Sequence, residues 1–505
     1  MRNYLTGIMH DRTLLSELSD YCEHHTRYIL ALSGLRRTGK TVLMMRQALR
    51  LLDAGKNAAY LQISEIDTQQ SLFRGVDSAI KNGAQYIFID EVTYVDGFAR
   101  WGDWLYCSTV LKGVHCIISG TDSFGLVLAS GNVLFDRIRF VKTTYMSYAE
   151  YHYITDGKPL SEYLHTGGIF SAFDLDEYVD TSIVNNIVHS INRYSDHGYR
   201  ELAPLLDDEL SSAIIKTIAN VTIRFLIGLL VRSYKYPDLR SALDLLSRHG
   251  SIFSAEAVNA IQVEVAKHLK ISEKLDRFSN KQKEEFVDYL KFILEKIDVV
   301  TEYDFEQSYT DNPKQYTHKE HVITQPGLRY EQTRVYLEVL CRLNNTGALL
   351  MEQITQDMEG KLLEAAILTS VIRKLYDGRI GRADRKHDVF KFARDDYEFD
   401  MVIVNLDVCA LSVFEIKRSG VIDTRQYSRL LDNGLINAAV NTALLRNIGR
   451  IGKIEAVSRY VLYMGALAEV DNVKYVNIED FLLNGSVSAG IFFQKNNNKA
   501  VNYGM

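Results

Sequence analysis

The residues with the most specific spacing form a candidate phosphate-binding loop near the amino terminus. Residues 34–41 read GLRRTGKT and match the pattern GxxxxGK[ST]. Gly34 and Gly39 allow backbone N–H groups to turn around a β-phosphate. Lys40 would reach the β- and γ-phosphate oxygens, and the Thr41 hydroxyl would ligate Mg²⁺. The predicted nucleotide-binding residues of this loop are Gly34, Arg37, Thr38, Gly39, Lys40 and Thr41.

The loop also lies between the two elements that a phosphate-binding loop requires. An apolar run of strand length over 28–33 precedes it, and a helical pattern of apolar residues through Leu52 follows it. A helix that begins here directs the positive end of its dipole at the phosphates.

A second pair of candidate residues follows an apolar strand about fifty residues after Lys40. The run 86–89 leads directly into Asp90 and Glu91. Asp90 would hold Mg²⁺, directly or through water, and Glu91 would orient and polarise the attacking water. The alternative is an acidic pair that only caps the strand.

Two further features would complete a nucleotide site. The strand over 115–118 runs into Ser119-Gly120-Thr121, where Thr121 is our choice for sensing the γ-phosphate or the attacking water. An ordinary polar turn is the alternative. Downstream, Arg137 or Arg139 could act as an arginine finger on a neighbouring protomer's nucleotide, and a solvated or salt-bridged arginine is an equal alternative.

Acidic residues and a lysine near the carboxyl terminus have the spacing of a metal-dependent phosphodiesterase site. Residues 398–400 (EFD) open one predicted strand, and residues 415–417 (EIK) close the next. Because side chains alternate along a strand, Glu415 and Lys417 project to the same face. Asp400 and Glu415 could then share a divalent metal, which would activate water and neutralise charge developing on a phosphate. Lys417 would orient the nucleophile, help to deprotonate it, or stabilise the pentavalent state.

The alternative for this group is a solvated salt-bridge network in which Lys417 neutralises Glu415. A cluster of unpaired acids costs stability unless a metal compensates for it. The complete set therefore favours a metal site over the network.

Composition places the chain among ordinary globular proteins. It has 505 residues, 47% hydrophobic and 24% charged, and a net charge of −6. The length predicts about three domains. A polycation that coats nucleic acid by charge alone is excluded, although a local basic groove is not. With 5 prolines, a Pro-rich linker is excluded as well.

Cysteine usage and hydropathy predict a cytoplasmic protein without a membrane anchor. The five cysteines form no CxxC pair, which argues against a disulfide framework or a structural zinc site. The first twenty residues contain no apolar core of a signal peptide. The most apolar helical stretch, 214–231, is interrupted by Lys216 and Arg224 and is expected to be a core helix.

The order of elements predicts the domains. Strands alternate with helices in the first third, which indicates a parallel α/β sheet. Residues 307–325 are expected to form a polar loop, 327–343 a helix, and 348–352 a strand, an order that suits a winged helix. Farther on, 361–376 is expected to be an amphipathic helix and 442–445 a strand. The predicted domains are an ATPase core at 1–160, a helical lid at 161–300, a winged-helix-like module at 301–356, an α/β domain at 357–492 and a polar tail at 493–505.

The first third resembles the AAA-type P-loop ATPase domain of a large prokaryotic family. The P-loop, the Ile-Asp-Glu strand and the Ser-Gly-Thr strand carry the resemblance. Residues 145–150 (YMSYAE) resemble the family's "PLS..E" segment, and Asp136-Arg137 stands where the family has Gly-Arg. The resemblance implies bound ATP and Mg²⁺. Because such sites are usually completed by a neighbour, it also implies a homo-oligomer and a role in trans for Arg137.

The carboxyl-terminal third resembles the PD-(D/E)XK nuclease superfamily. That superfamily often places a metal-coordinating acid on the preceding helix, and Glu364 of 360–364 (GKLLE) stands there. The resemblance implies a catalytic quartet of Glu364, Asp400, Glu415 and Lys417 that uses Mg²⁺ or Mn²⁺.

The sequence as a whole predicts an α/β protein with a P-loop AAA-type domain, a helical and winged-helix middle, and a PD-(D/E)XK-like carboxyl-terminal domain. We expect an Mg-ATP hydrolase coupled to a nuclease-like domain that acts on nucleic acid, with DNA favoured, in defence or mobile-element control. One rival is a nucleotide-switched regulator or scaffold whose nuclease-like domain only holds a partner. Another is an ATP-driven motor that does not cleave.

Overall fold

The computed structural model describes residues 1–120, 134–167, 298–327, 348–376 and 385–484, apart from residues 7, 25, 26, 36, 96 and 396, together with Leu126, Glu295 and Tyr330. The predicted helical lid lies almost entirely outside the described residues, as do the polar tail and Thr121. Within the described ranges, no helix is long and apolar enough to cross a bilayer.

The chain divides into two compact units. The first comprises Met1–Met146, Glu150–Val300 and Thr324–Thr355, and the second comprises Ser147–Ala149, Thr301–Ile323 and Gln356–Met505. The elements of the amino-terminal part are α1 (Leu15–His24), β1 (Ile29–Ser33), α2 (Lys40–Asp53), β2 (Ala58–Gln62), α3 (Gln69–Lys81), β3 (Tyr86–Asp90), α4 (Phe98–Ser108), β4 (His115–Ser119), β5 (Ile138–Lys142), α5 (Tyr148–Ile154) and α6 (Leu160–Thr166).

The first unit contains a parallel five-stranded sheet in the order β2-β3-β4-β1-β5. This confirms the predicted parallel α/β sheet and its first four strands. Alternate residues of β1 enter two different cores: Ile29 and Ala31 pack in the cluster that contains Trp101, whereas Leu30 and Leu32 pack in the cluster that contains Met44. A sheet covered on both faces needs continuous apolar strands, which explains the uninterrupted run in the sequence.

Three strands of this sheet place polar residues at one edge. β1, β3 and β4 are parallel and end at Ser33, Asp90 and Ser119, respectively. The carboxyl ends of parallel strands lie at the same edge of a sheet, which is the usual location of ligand sites in α/β proteins. The P-loop after β1 and the Asp90–Glu91 turn after β3 therefore lie at the same end of the sheet, on either side of the end of β4.

The second unit contains a mixed eight-stranded sheet. The elements of this unit are β6 (Val300–Tyr309), β7 (Asn312–Ile323), α7 (Ala348–Tyr376), β8 (His387–Arg394), β9 (Tyr397–Asn405), β10 (Ala410–Ile416), α8 (Thr424–Tyr427), α9 (Asn433–Arg446), β11 (Ala456–Tyr463), β12 (Ala468–Val470), β13 (Val473–Asn477) and α10 (Ile478–Asn484). The strands are arranged in the order β12-β13-β11-β10-β9-β8-β6-β7. The β8–β9–β10 portion is antiparallel, whereas β10, β11 and β13 run parallel to one another.

The predicted polar loop over 307–325 was wrong, because β6 and β7 occupy most of that range. These strands pair polar residues with one another instead of alternating apolar and polar ones. Thr317 of β7 donates to Glu306 of β6 at 3.0 Å, and Lys319 bonds to Asp304 at 2.6 Å. Such a strand has no hydrophobic periodicity from which it could be recognised.

Two predicted strands are helical in the structure. Residues 348–352 form the beginning of α7, which continues without interruption to Tyr376, and residues 442–445 lie near the end of α9. A run of four or five apolar residues does not distinguish a strand from a buried helical segment. In α9 the Asp432 carboxylate caps the amino terminus by accepting from the N–H groups of Gly434 and Leu435.

The described part of 301–356 consequently does not have the order of elements expected for a winged helix. Its first portion belongs to the eight-stranded sheet, and its last portion belongs to α7. The helix predicted between them, 327–343, lies mostly outside the described residues.

A buried arginine joins β6 to the rest of the second unit. Arg446 of α9 bonds to Asp304 at 2.7 Å and to both carboxylate oxygens of Asp388 at 2.8 Å, and it also bonds to Glu306. Its guanidinium lies 4.7 Å from the centre of the Phe390 ring. One side chain thus ties β6, β8 and α9 together.

We expect Arg446→Ala to lower the free energy of unfolding by about 3–5 kcal/mol, because it leaves buried carboxylates without their counter-charge. Chemical denaturation of the purified protein measures this. The matched control is Arg425→Ala, which removes an arginine that is 89% exposed and paired with Asp423, and it should leave the free energy of unfolding nearly unchanged. Equal effects of the two substitutions would contradict the role given to Arg446.

Candidate functional site

The P-loop follows β1, and its last two residues, Lys40 and Thr41, are the first two of α2. Gly39 precedes that helix with φ 84°, and the buried Lys40 begins it. The Lys40 ammonium donates to the carbonyl oxygens of Gly34 at 2.9 Å and Leu35 at 2.7 Å. The ammonium is thus held within the turn of the loop. Its contact with the β- and γ-phosphates stays a prediction.

The outer side of the loop is bonded to the residues that follow β5. Thr143 donates through its backbone N–H to the Ser33 carbonyl at 2.8 Å, and its hydroxyl lies 2.8 Å from that of Thr38. The hydroxyl of Thr144 accepts from the Leu35 N–H at 3.1 Å. Gly34 has φ 147°, and a Cβ atom there would lie 2.3 Å from the Thr143 hydroxyl oxygen. Glycine is therefore required where the two segments meet.

Asp90 is held in one orientation by two hydroxyl groups. Tyr60 of β2 donates to one carboxylate oxygen at 2.8 Å, and Ser119 of β4 donates to the other. Burial, together with the negative charge of Asp90, raises the pKa of Tyr60 far above its usual range, so this phenol remains a donor. Asp90 is itself buried. Its oriented carboxylate fits the predicted role of a Mg²⁺ ligand or of an acceptor for metal-bound water.

Glu91 lies in the turn immediately after the strand. Its backbone φ is 58°, a left-handed conformation that is uncommon for a residue with a side chain. The backbone N–H of Glu91 donates to the Ser119 hydroxyl at 3.1 Å. Ser119 thus fixes Asp90 and Glu91 at once, and it is the last residue of β4. Thr121, chosen from the sequence for the sensing role, lies outside the described residues.

Arg137 lies at the opposite edge of the sheet from the P-loop. It immediately precedes β5, and its carbonyl accepts from the N–H of Ile29, the first residue of β1. The length of a five-residue strand, roughly 17 Å, therefore separates it from this chain's own P-loop. Its guanidinium pairs with Asp103 and lies 5.1 Å from the centre of the Tyr106 ring. The role of Arg137 in trans stays a prediction. The other candidate, Arg139, has its guanidinium 4.6 Å from the centre of the Tyr28 ring.

The second unit brings the predicted quartet into one charged group. Asp400 of β9 accepts from the backbone N–H of Ile416 at 2.7 Å. The Lys417 ammonium lies 2.6 Å from a Glu415 carboxylate oxygen and 3.7 Å from one of Asp400. Burial, and then the charge of Asp400, raises the pKa of Glu415 to about 7 and also raises that of Glu364 on α7. The four side chains thus act on one another electrostatically.

Two lysines that the sequence analysis did not select complete this group. Lys361 lies 2.8 Å from a carboxylate oxygen of Glu364. Lys391 of β8 lies 3.9 Å from the same oxygen and 3.2 Å from Glu398. The pairing of β8 with β9 is shifted between Phe390 and Phe392, so that Lys391 stands at an irregularity of the kind that redirects side chains near sites. No motif in the sequence marks such a position.

The contacts bear on both hypotheses for the quartet. Lys417 neutralises Glu415, as the salt-bridge alternative requires. Among the described residues no three His, Cys, Asp or Glu side chains are grouped so as to hold a metal ion. Yet the other Glu415 oxygen, Oε1, is buried and accepts no hydrogen bond. A buried, unsatisfied carboxylate oxygen is an acceptor that a divalent cation shared by the pair Asp400 and Glu415 would satisfy.

The raised pKa of Glu415 gives a pH dependence with a definite sign. In the window from about pH 4.5 to about pH 7 the folded protein retains a proton that the unfolded chain releases. Stability should therefore fall as pH rises through this window. Glu415→Gln should remove that fall, by up to about 3 kcal/mol, since one pKa unit is worth about 1.4 kcal/mol.

Denaturation curves from pH 5 to pH 8 in the absence of divalent ions test this prediction. The control is Glu455→Gln, which changes an exposed carboxylate paired with Lys453 and should leave the slope unchanged. If the Glu415→Gln curves run parallel to those of the wild type, Glu415 does not retain its proton in the folded state.

Comparison with known proteins identifies part of the first unit. Residues 26–152, about a quarter of the chain, match a family model described as an AAA domain. A search of curated proteins found no match.

Two solved structures are similar to this chain at low sequence identity. AMPPCP-bound DnaA from Aquifex aeolicus is 13% identical with a TM-score of 0.24, and the alignment covers 57% of this chain and 96% of that one. The S. cerevisiae Hsp104–ADP complex is 14% identical with a TM-score of 0.25, covering 72% of this chain and 49% of that one. The family match and the site geometry together identify residues 26–152 as an AAA-type P-loop domain.

Proposed function

We propose that the first unit binds Mg-ATP and hydrolyses it. The observation that carries this proposal is the convergence of the P-loop and the Asp90–Glu91 turn at one edge of the sheet. Lys40 begins the helix that follows the P-loop, and Ser119 lies between the two segments and bonds to the second of them. The match to an AAA domain supports the same conclusion.

The proposed chemistry divides among a few side chains. The P-loop N–H groups and Lys40 would bind the β- and γ-phosphates. Thr41 and Asp90 would hold Mg²⁺, which neutralises phosphate charge when bound. Glu91 would orient the attacking water. Ser119 would fix the positions of Asp90 and Glu91 relative to each other. Arg137 would act on the nucleotide of a neighbouring protomer in a homo-oligomer.

Two substitutions should separate nucleotide binding from hydrolysis. Lys40→Ala should abolish ATP binding, because the phosphates lose their cation. Glu91→Gln should bind ATP with near wild-type affinity and lose about 10²–10⁴-fold in turnover, because the water is no longer activated. Fluorescent-nucleotide titration and a phosphate-release assay measure the two properties.

The matched controls are Lys56→Ala and Glu17→Gln, which change exposed side chains of the same unit. Both should behave as wild type. Full turnover by Glu91→Gln would assign the water to another residue, and ATP binding by Lys40→Ala would remove the P-loop from the proposal.

A second candidate function belongs to the second unit, which we propose hydrolyses phosphodiester bonds of nucleic acid with a divalent metal. The specific observation in its favour is the buried Glu415 Oε1 atom without a hydrogen bond, beside Asp400 and Lys417. Asp400 and Glu415 would hold Mg²⁺ or Mn²⁺, which would supply an activated water and neutralise phosphate charge. Lys417 and Glu364 would orient the nucleophile and the metal-bound carboxylates.

Cleavage of labelled single- and double-stranded DNA and RNA tests this second candidate. Wild type should cut with Mg²⁺ or Mn²⁺, whereas Lys417→Ala and Glu415→Gln should lose at least about a hundredfold in rate. Lys453→Ala, which removes an exposed lysine, is the matched control. Reactions with and without ATP show whether the two units are coupled.

The same experiment distinguishes the rival functions. A protein that binds ATP and cuts no substrate under any condition favours the nucleotide-switched regulator or scaffold. ATP turnover that rises with nucleic acid but leaves it intact favours a motor.

A further inference from the structure

A buried arginine from the amino-terminal segment touches the P-loop from outside. Arg12 is 6% exposed, and the five N–H groups of its guanidinium all have partners. The Nε and one Nη2 hydrogen face Glu150 at 3.1 and 3.2 Å. The remaining donors bind three backbone carbonyls, those of Thr38 at 2.6 Å, Thr143 at 2.9 Å and Tyr145 at 2.9 Å.

Glu150 supplies the counter-charge and fixes the arginine. It is 5% exposed, and besides Arg12 it accepts from the backbone N–H of Thr13 at 2.8 Å and from the Thr13 hydroxyl at 3.1 Å. A bidentate pair of this kind is both strong and directional. The guanidinium therefore has little freedom to turn away from the carbonyls that it holds.

The contact with the Thr38 carbonyl sets the direction of an N–H group on the opposite side of the loop. In a trans peptide the C=O of one residue and the N–H of the next point in opposite directions. Arg12 holds the Thr38 carbonyl on the outside of the P-loop, so the N–H of Gly39 must point away from Arg12. Gly39 N–H is one of the loop donors expected to face the β-phosphate. A Cβ on Gly39 would lie 3.4 Å from the Arg12 side chain, which shows how closely the arginine packs against this peptide.

We infer that Arg12, held by Glu150, is a positioning residue that orients the Thr38–Gly39 peptide for phosphate binding. The inference rests on the proposed ATPase function and adds residues to which the sequence motif assigns no such role. The same guanidinium also binds Thr143 and Tyr145, so it fixes the P-loop to the residues that follow β5. A lysine at position 12 carries three donors on a single nitrogen and cannot serve a carboxylate and three carbonyls at once.

The test uses the full-length protein and two independent readouts. The Kd for ADP and ATP and the steady-state kcat and KM are measured for wild type, Arg12→Lys and Glu150→Gln. Arg12→Lys should raise both Kd values and KM at least about tenfold, the equivalent of one charge-assisted hydrogen bond. The kcat should fall by less than threefold, because Asp90, Glu91 and Ser119 are unchanged. Glu150→Gln should raise Kd in the same direction by a smaller factor.

The matched control is Arg50→Ala, which removes a half-exposed arginine of the same unit that pairs with Asp11. It should leave Kd, KM and kcat unchanged. A role confined to stability would lower the melting temperature of Arg12→Lys without this selective effect on Kd and KM.

Wild-type Kd and KM in folded Arg12→Lys would overturn the inference. If that variant does not fold, the nearly isosteric Glu150→Gln decides, and wild-type Kd in folded Glu150→Gln overturns it equally. Failure of the proposed function is distinguishable, because wild-type protein would then bind no ATP before any variant is considered.

Discussion

The nucleotide site depends on how the outer side of the P-loop is satisfied. A loop that directs its N–H groups inward toward phosphates must direct carbonyls outward, and buried carbonyls require donors. Arg12 donates to Thr38 here, while Thr143 and Thr144 hold the neighbouring part of the loop. The short approach to Thr143 is open only to glycine at position 34. The first glycine of the motif therefore allows the contact with the segment that follows β5 as well as the turn around phosphate.

The same requirement explains which parts of this site could be predicted from the sequence. The P-loop, Asp90 and Glu91 are local patterns that follow apolar strands, so their type and spacing are sufficient. Arg12 and Glu150 are 138 residues apart, and a single arginine in a polar amino-terminal segment carries no signal of its own. Resemblance to a family segment pointed to Glu150, but only the structure gives it a partner. The strand β5 carries no comparable signal, because it is five residues long and two of them, Arg139 and Lys142, are charged.

In the second unit, too, residues within local sequence patterns could be predicted, whereas residues brought in by distant contacts could not. The strand pattern of the sequence is enough to place Asp400 on β9, Glu415 on the neighbouring β10, and Lys417 directly after β10. Lys391 reaches the group only because the pairing of β8 with β9 is irregular at that point. The strands β6 and β7 could not be recognised, because their polar side chains are satisfied by Arg446 and by one another. Hydrophobic periodicity identifies strands that bury apolar faces, and it does not identify strands held by buried ion pairs.

Lys417 is the group of the quartet that a salt-bridge network and a catalytic site would use differently. Lys417 engages one oxygen of Glu415 and one of Asp400, which are groups that a metal ion would also require. On the proposed phosphodiesterase function, metal and ammonium therefore compete until Lys417 finds another anionic partner. The phosphate of a bound nucleic acid offers such a partner, and its arrival would release both carboxylates toward the metal. In a scaffold no anion arrives, and the ion pair is the final state. The two functions thus differ in what displaces Lys417, which explains why the buried Glu415 Oε1 is more informative than the ion pair beside it.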